Sequence, residues 1–247
     1  AVAAKGKTIL SNCAIEPEIK DLIVFLKKLG CNIIFSRKRK IVIKGTKIFK
    51  PASHDIIFDR IELGTYLIAA ALVGNKINLL KVKPSIIKNE IKILTKMGVK
   101  IKVYKNKIQV LRSKKITKIA IKTEPYPGFP TDLQAQIMVL MTKAKGVSKI
   151  QENIFENRFM HVPELKRMGA NIEIKNNIAF IKGPSSLSGA EVMATDLRAS
   201  VSLVLAALVA DKKTVINRVY HLDRGYENLE NKLKNCKADI KRTNNER

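Results

Sequence analysis

The sequence predicts an α/β fold assembled from a repeated unit of helix, strand, helix, strand and strand. A helix that ends in an apolar residue followed by glycine occurs three times, with the glycines at Gly30, Gly98 and Gly169. A fourth copy carries Lys237 at the matching point, so the four markers lie 68, 71 and 68 residues apart. Spacing this regular indicates one structural unit copied along the chain.

Each glycine marker is preceded by an amphipathic helix and followed by a hairpin. Apolar residues recur at spacings of three and four before the glycine, which predicts a helix with the glycine as its left-handed C-cap. Asn106 and Asn176 suit the turns between the strands that follow. The hairpins are predicted at 32–35 with 40–43, at 100–104 with 107–111, and at 171–174 with 178–181.

A second, more apolar helix precedes the amphipathic helix in each complete unit, and a strand links the two. A helix that is apolar on most of its faces is expected to be buried in the core. The apolar helices are predicted at 61–73, 132–141 and 196–209, and the linking strands at 76–82, 148–153 and 214–219.

The repeat predicts two domains. Residues 58–247 contain three units and are expected to form a three-repeat domain, whereas residues 1–57 match the last, partial repeat of another domain. The opening stretch AVAAKGKTIL matches the end of an apolar helix and its linking strand. We therefore expect Ala1 to lie inside a helix and the chain to be N-terminally truncated relative to a longer protein.

Composition fits a globular protein with a substantial core, because 46% of the residues are apolar. No apolar stretch approaches the length of a membrane span, and the N-terminus lacks the apolar core of a signal peptide, so a cytoplasmic location is expected. Cys13, Cys31 and Cys236 are far apart and show no metal-type spacing, which predicts small buried thiols. Neither a metal nor a cofactor is predicted.

The formal net charge of +26 raises the hypothesis of a nucleic-acid partner. Three features weigh against it: the excess is mostly lysine spread along the chain, tryptophan is absent, and aromatic residues are too few for stacking platforms. We therefore interpret most of the charge as solvated surface, and RNA binding as a minority alternative.

The stretch PGFPTDLQAQ, residues 127–136, places Asp132 where a stiff turn becomes a helix. Asp59 and Asp196 occupy similar places at the starts of the other two apolar helices. The purely structural interpretation of each carboxylate is an N-cap of the helix that follows it. For Asp132 the functional alternative is a rigidly held base that takes a proton from a bound hydroxyl. The sequence leaves both interpretations open.

Three arginines are candidates for binding an anionic ligand. Arg198 lies inside an otherwise apolar helix, where a charge is costly unless it is paired or faces a ligand. Arg158 and Arg224 lie at junctions between units. Lysine is strongly preferred over arginine in this chain, with 36 lysines against 11 arginines. An arginine at such a position therefore favours a role that lysine cannot fill, namely bidentate contact with carboxylate or phosphate. Surface salt bridges are the alternative, and His161 and His221 are predicted to be structural.

Four motifs resemble the C-terminal part of the enolpyruvyl transferases that act on UDP-N-acetylglucosamine: PGFPTDLQAQ, FENRFMHVPELKRMGA, LSGAEVMATDLRAS and YHLDRGYENLENKL. The resemblance runs from Ala1 to about Arg242. It implies an inside-out α/β barrel, as in the EPSP synthases, with two domains of three repeats. The implied reaction transfers the enolpyruvyl group of phosphoenolpyruvate to the sugar 3-hydroxyl, the first committed step of peptidoglycan synthesis. Roles in cell-wall biogenesis, cell shape and cell division would follow.

The resemblance also implies residue roles. It makes Asp132 the base that activates the 3-hydroxyl and Arg224 the ligand of the phosphoenolpyruvate phosphate. Arg158 and Arg198 would bind anionic groups of the substrates. Ile154 would contact the UDP-sugar, and Asp196 would lie beside the reacting centre.

One departure from the family pattern concerns the general acid. In the family it is a cysteine or aspartate on a mobile loop, and a Lys-Asn pair also binds substrate, but both regions precede Ala1. None of Cys13, Cys31 and Cys236 matches that loop. We therefore expect the chain alone to be inactive and to need the missing N-terminal part as a partner. Alternatives are a shikimate-pathway enolpyruvyl transferase, an RNA-end-processing relative, or a regulatory paralogue.

Overall fold

The computed structural model describes residues 1–36, 38–74, 76–113 and 115–243, and it has an α/β fold. The chain divides into two compact units. The first comprises residues 1–59 with 125–128, and the second comprises residues 60–124 with 129–247. That these units are the last repeat of one domain and the three-repeat body of another stays a prediction. None of the helices in the described ranges has both the length and the apolar run that crossing a membrane requires.

The first unit packs one helix on a three-stranded antiparallel sheet. Ile23 of the helix packs with Ile33, Ile41 and Ile43 of the sheet. The strand order is β1-β3-β2, so the hairpin lies where the sequence predicts it. The elements are β1 (Lys7–Leu10), α1 (Pro17–Lys28), β2 (Asn32–Ser36) and β3 (Lys40–Lys44).

The expectation that Ala1 lies inside a helix is wrong. Residues 2–6 form turns and bends, in which the Ala4 N–H donates to the Ala1 carbonyl at 3.1 Å. One such turn fixes several backbone dihedrals for a single hydrogen bond, which does not meet the cost of starting a helix.

The core of the second unit is formed by the three predicted apolar helices. Every residue of Gln134–Thr142 is buried, and this helix contacts the other two. Gly64 allows the closest approach, because a Cβ at this position would collide with the Leu133 side chain. The apolar helices are α2 (Arg60–Val73), α4 (Gln134–Thr142) and α6 (Leu197–Ala207).

The amphipathic helices of the second unit end as the repeat predicts. Gly98 and Gly169 have φ angles of +90° and +97°, and Lys237 takes the same left-handed conformation at +69°. Cys236 is exposed at the end of the last helix, so the expectation of a buried thiol is wrong there. The amphipathic helices are α3 (Lys88–Lys96), α5 (Val162–Arg167) and α7 (Leu229–Asn235).

Each sheet of the second unit joins strands of one repeat. The strand orders are β4-β6-β5, β7-β8-β10-β9 and β11-β12. The pairs β7-β8 and β11-β12 are parallel, and the other neighbours are antiparallel. The strands are β4 (Ile77–Leu80), β5 (Lys100–Tyr104), β6 (Lys107–Leu111), β7 (Ala120–Lys122), β8 (Gly146–Gln151), β9 (Asn171–Lys175), β10 (Ile178–Gly183), β11 (Glu191–Met193) and β12 (Val215–Asn217).

The short strands β7 and β11 were not predicted, and they complete a β-α-β crossover around α4 and α6. Strands of three residues are too short to show a hydrophobic alternation. No closed barrel forms among the strands in the described ranges, because the strands pair only within these separate sheets. After α7, the residues described up to 243 form no strand, so no hairpin follows Lys237 within them.

Candidate active site

Asp132 lies in a single 3-10 turn, Thr131–Leu133, that leads into α4. Neither this turn nor α4 has a side-chain cap, so the N-cap interpretation of Asp132 is wrong. Its Oδ1 instead accepts a hydrogen bond from Arg158 Nη2 at 2.7 Å and lies 3.4 Å from Arg198 Nε. The side chain is 38% exposed, so solvent reaches the carboxylate.

Both arginines are held at this carboxylate in partly buried positions. The side chains of Arg158 and Arg198 are 16% and 17% exposed. Burial acts to lower the pKa of Arg198, but the charge of Asp132 and the contact with Tyr226 outweigh it, so the pKa is raised. The Arg158 guanidinium also lies 5.0 Å from the centre of the Phe155 ring. The result is a carboxylate whose Oδ1 is paired and whose Oδ2 has no hydrogen-bond partner in the described ranges.

Arg224 does not join this cluster directly. It is exposed at the end of the 3-10 segment Val219–Arg224. Its side chain forms no ion pair or hydrogen bond with the part of the chain that the structure describes. Among Asp132 and the three candidate arginines, Asp132 contacts Arg158 and Arg198, whereas Arg224 presents to solvent a guanidinium without a partner in the described ranges.

Asp196 is the N-cap of α6, which confirms the structural interpretation of this carboxylate. Its Oδ1 accepts hydrogen bonds from the backbone N–H of Arg198 at 2.7 Å and of Ala199 at 2.9 Å. The cap therefore fixes the first turn of the helix from which Arg198 reaches Asp132. A substrate contact for Asp196 stays a prediction, as does the capping role of Asp59, which directly precedes α2.

Ile154 lies in the segment that follows β8, and it is 44% exposed. Together with Phe155 and Arg158 it lines a surface depression of about 1080 Å³ that lies wholly within the second unit. Residues 174, 176 and 177 of the β9-β10 hairpin form its opposite side. The depression thus places an apolar side chain and a guanidinium next to each other.

Tyr226 is a site component that the sequence did not reveal. It is 2% exposed, and burial raises the pKa of its phenol. Its hydroxyl lies 2.9 Å from Thr65 Oγ1 and 3.5 Å from Gln136 Nε2, and the nearby Arg198 acts to lower its pKa. Gln136 Nε2 also donates to the Asp132 carbonyl at 2.9 Å. The sequence signal that points to such a partner is a polar residue inside each apolar helix, since a buried polar group needs a hydrogen-bond partner.

His161 lies behind the arginines and is 1% exposed. Burial lowers its pKa to about 4; Asp196 opposes this shift, and Arg158 adds to it. The ring forms a hydrogen bond with the backbone carbonyl of Arg158. Its Nε2 has no hydrogen-bond partner within the described ranges. A neutral imidazole therefore supports the backbone that carries Arg158.

A sequence model of the EPSP synthase (3-phosphoshikimate 1-carboxyvinyltransferase) family matches residues 1–233. The chain belongs to this family. A UDP-N-acetylglucosamine 1-carboxyvinyltransferase of Pelagibacter ubique (strain HTCC1062) is 60% identical over 244 residues, or 99% of the chain. The protein of the same name from Rickettsia canadensis (strain McKiel) is 52% identical over 98% of the chain. The chain spans 58% of the length of each of these two relatives.

Solved structures of the EPSP synthase family share the fold described above. The enolpyruvyl transferase NikO from Streptomyces tendae has a TM-score of 0.88 at 28% identity, covering 97% of this chain and 57% of that one. An EPSP synthase from Acinetobacter baumannii has a TM-score of 0.70 at 17% identity, covering 95% and 57%. The second likeness concerns the fold alone.

Proposed function

We propose that this chain carries the base and the arginines of an enolpyruvyl transfer site. The donor is phosphoenolpyruvate, and the acceptor is the 3-hydroxyl of UDP-N-acetylglucosamine. The observation that carries the proposal is the exposed carboxylate of Asp132, paired through Oδ1 with Arg158 and Arg198 and unpartnered at Oδ2 within the described ranges. Such a group can accept a proton from a hydroxyl while its orientation is held by two cations.

The chemistry follows from these positions. Asp132 takes the proton of the 3-hydroxyl as its oxygen attacks C2 of phosphoenolpyruvate and a general acid delivers a proton to C3. Loss of a C3 proton and of phosphate from the tetrahedral intermediate then restores the double bond. Negative charge of the substrates is met by guanidinium groups that are already in place, which lowers the cost of reorganisation. Arg224 binds the phosphate, because an exposed and unpaired guanidinium can make two parallel hydrogen bonds to it.

Two further contacts belong to the proposal. Ile154 contacts the UDP-sugar from the depression beside Arg158. Asp196 lies beside the reacting centre while it caps α6. These assignments rest on the motif resemblance and on the position of each residue next to the Asp132 cluster.

The part of the relatives that this chain does not span supplies the general acid, a cysteine or aspartate, and the Lys-Asn pair. The complete protein would have the inside-out barrel with two three-repeat domains, and the chain's partner would be that remaining part. It would act in the cytoplasm, in peptidoglycan synthesis, and so in cell shape and division. The cytoplasmic location stays a prediction.

The nucleotide sugar is favoured over the shikimate-pathway acceptor by the relatives. The two with 60% and 52% identity both carry the nucleotide-sugar name, whereas the EPSP synthase of Acinetobacter baumannii shares 17%. An RNA ligand has no comparable support.

A chimera tests the function. The segment of the Pelagibacter ubique relative that aligns with this chain is replaced by the chain itself, and phosphate release from phosphoenolpyruvate is measured with UDP-N-acetylglucosamine present. We expect turnover by the chimera and none by the chain alone. Asp132→Asn in the chimera should lower the rate about 100-fold or more, the usual contribution of a general base.

The matched control is Asp239→Asn, since Asp239 is an exposed carboxylate outside the cluster. This control should stay within about twofold of the parent chimera, as expected for a substitution away from the site. A chimera that folds but releases no phosphate, or full turnover in Asp132→Asn, contradicts the proposed function. Turnover by the isolated chain contradicts the assignment of the acid to the remaining part.

A further inference from the structure

Glu152 is a buried carboxylate outside the residues assigned so far. It directly follows β8 and is only 4% exposed. A buried carboxylate is costly unless its oxygens are hydrogen-bonded. Here Oε1 accepts from Thr123 Oγ1 at 2.7 Å, from the Ile154 N–H at 2.9 Å and from the Phe155 N–H at 3.1 Å, and Oε2 accepts from Thr131 Oγ1 at 2.9 Å.

The partners of Glu152 all act as donors, and the two carboxylate oxygens accept them. The Thr123 hydroxyl illustrates this direction. Its oxygen accepts the Asn153 N–H at 2.9 Å, and its proton is donated to Glu152. Four donors therefore hold the two oxygens of Glu152 in place.

Three of the four donors to Glu152 belong to the two segments that carry Asp132 and Arg158. Thr131 directly precedes Asp132, and Ile154 and Phe155 begin the segment that leads to Arg158. One buried carboxylate therefore connects the turn that carries Asp132 to the segment that carries Arg158. These two residues form the 2.7 Å ion pair of the cluster.

Other contacts fix Glu152 itself. Its N–H donates to the Asn177 carbonyl at 2.8 Å, and Asn177 Nδ2 donates back to the Glu152 carbonyl at 2.9 Å. The residue is thus fixed at its backbone by the β9-β10 hairpin, while its side chain reaches Thr123, just past the end of β7, and Thr131 beyond it. Glu152 is therefore held in place between the two segments that carry Asp132 and Arg158.

We propose that Glu152 is a positioning residue that sets the distance between Asp132 and Arg158. The geometric part of this inference stands on the contacts above, and its catalytic consequence rests on the proposed function. Glu152 acts through Thr131 on one side and through the Ile154 and Phe155 amides on the other.

The first experiment follows the Arg158 guanidinium by nitrogen-resolved NMR in the full chain. Because Asp132 holds Nη2 at 2.7 Å, we expect the Nη groups of Arg158 to rotate slowly. Thr131→Val and Glu152→Gln should each speed this rotation about tenfold or more, the change expected when a hydrogen bond to a charged group is weakened by well over 1 kcal/mol. Thr131→Val removes the hydroxyl at nearly constant shape, so it tests the link even where Glu152→Gln folds poorly.

Two controls separate positioning from general stability. Thr131→Ser restores the hydroxyl and should restore slow rotation. Thr142→Val removes a fully buried hydroxyl of α4 that donates only to the Val139 carbonyl, and it should leave the Arg158 signals unchanged. Unchanged rotation in Thr131→Val or in Glu152→Gln overturns the proposal, and so does an equal effect of Thr142→Val.

The second experiment uses the chimera. Thr131→Val should lower kcat about tenfold, in line with a weakened charge-assisted contact, and keep KM for UDP-N-acetylglucosamine within about twofold. A changed KM with unchanged kcat overturns the catalytic part. If the parent chimera shows no turnover, the proposed function fails, whereas the NMR result still decides the positioning role.

Discussion

At the scale of single residues, Asp132 and Asp196 are carboxylates at similar points of two repeats, but they bind different partners. Asp196 precedes α6 and accepts the N–H groups of its first turn. Asp132 lies inside a 3-10 turn, two positions after the N-cap residue Pro130, and its carboxylate is directed to Arg158 and Arg198. A two-residue difference in where the helical turn begins separates a structural cap from a candidate base.

His161 provides a prediction about pH at this scale. Its pKa is about 4 in the folded chain against 6.5 for an ordinary histidine. Between these values the unfolded chain binds a proton that the folded chain does not, so the free energy of unfolding falls as the pH falls. We expect this group to remove on the order of 2 kcal/mol between pH 7 and pH 5.

The measurement compares urea unfolding at pH 7 and pH 5 for the wild type and His161→Asn. Asparagine keeps a donor for the Arg158 carbonyl but does not titrate in this range. Other titrating groups, such as Glu90, whose pKa is raised by burial, cancel in the difference. The wild type should lose more stability than the variant, and an equal loss contradicts a buried neutral imidazole.

At the scale of elements, α6 combines a cap and a functional side chain within one helical turn. Asp196 satisfies the N–H groups of Arg198 and Ala199, and the Arg198 side chain then pairs with Asp132. The conformation of the first turn of α6 therefore determines where one guanidinium of the cluster lies.

Substitution of Asp196 separates its two proposed roles. Asp196→Asn keeps a good cap, so the free energy of unfolding should change by less than about 0.5 kcal/mol, whereas Asp196→Ala should lose about 1 kcal/mol. Urea unfolding measures both. A loss of chimera turnover in Asp196→Asn at unchanged stability supports the substrate contact, and equal stability of the two variants contradicts the cap.

At the scale of the second unit as a whole, the three apolar helices meet at one buried hydroxyl. The Thr65 hydroxyl on α2 donates to the Ile61 carbonyl at 2.9 Å, so it accepts the proton of Tyr226. Gln136 on α4 and Arg198 on α6 complete the contacts of the phenol. Tyr226 therefore joins one residue from each of the three repeats, and it links their packing to the Asp132 cluster.

Tyr226→Phe is predicted to destabilise the chain. It removes the hydroxyl and leaves the polar groups of α2 and α4 without that partner, which should cost about 1–3 kcal/mol of the free energy of unfolding. Tyr220→Phe is the control, because Tyr220 is 60% exposed and should change stability by less than about 0.5 kcal/mol. Urea unfolding of the two variants side by side measures the difference. Equal stability contradicts the role of the Tyr226 hydroxyl in joining the three apolar helices.

The sequence by itself determined the repeat, the helices and the hairpins, because periodicity and glycine caps act over a few residues. The predicted hairpin at 100–104 with 107–111 coincides with β5 and β6, and the left-handed conformation at Lys237 follows from the repeat without a glycine. It missed β7 and β11, whose three residues become strands only through a parallel partner that lies beyond a crossover helix.

Only the tertiary structure decided which side chains share a site. The contexts TDLQA and TDLRA are nearly identical, and nothing local distinguishes the paired Asp132 from the capping Asp196. Asp132 finds its partner Arg158 26 positions away, and Glu152 and Tyr226 bind residues of other elements. These contacts depend on how whole elements pack, and that distance information is absent from any short stretch of chain.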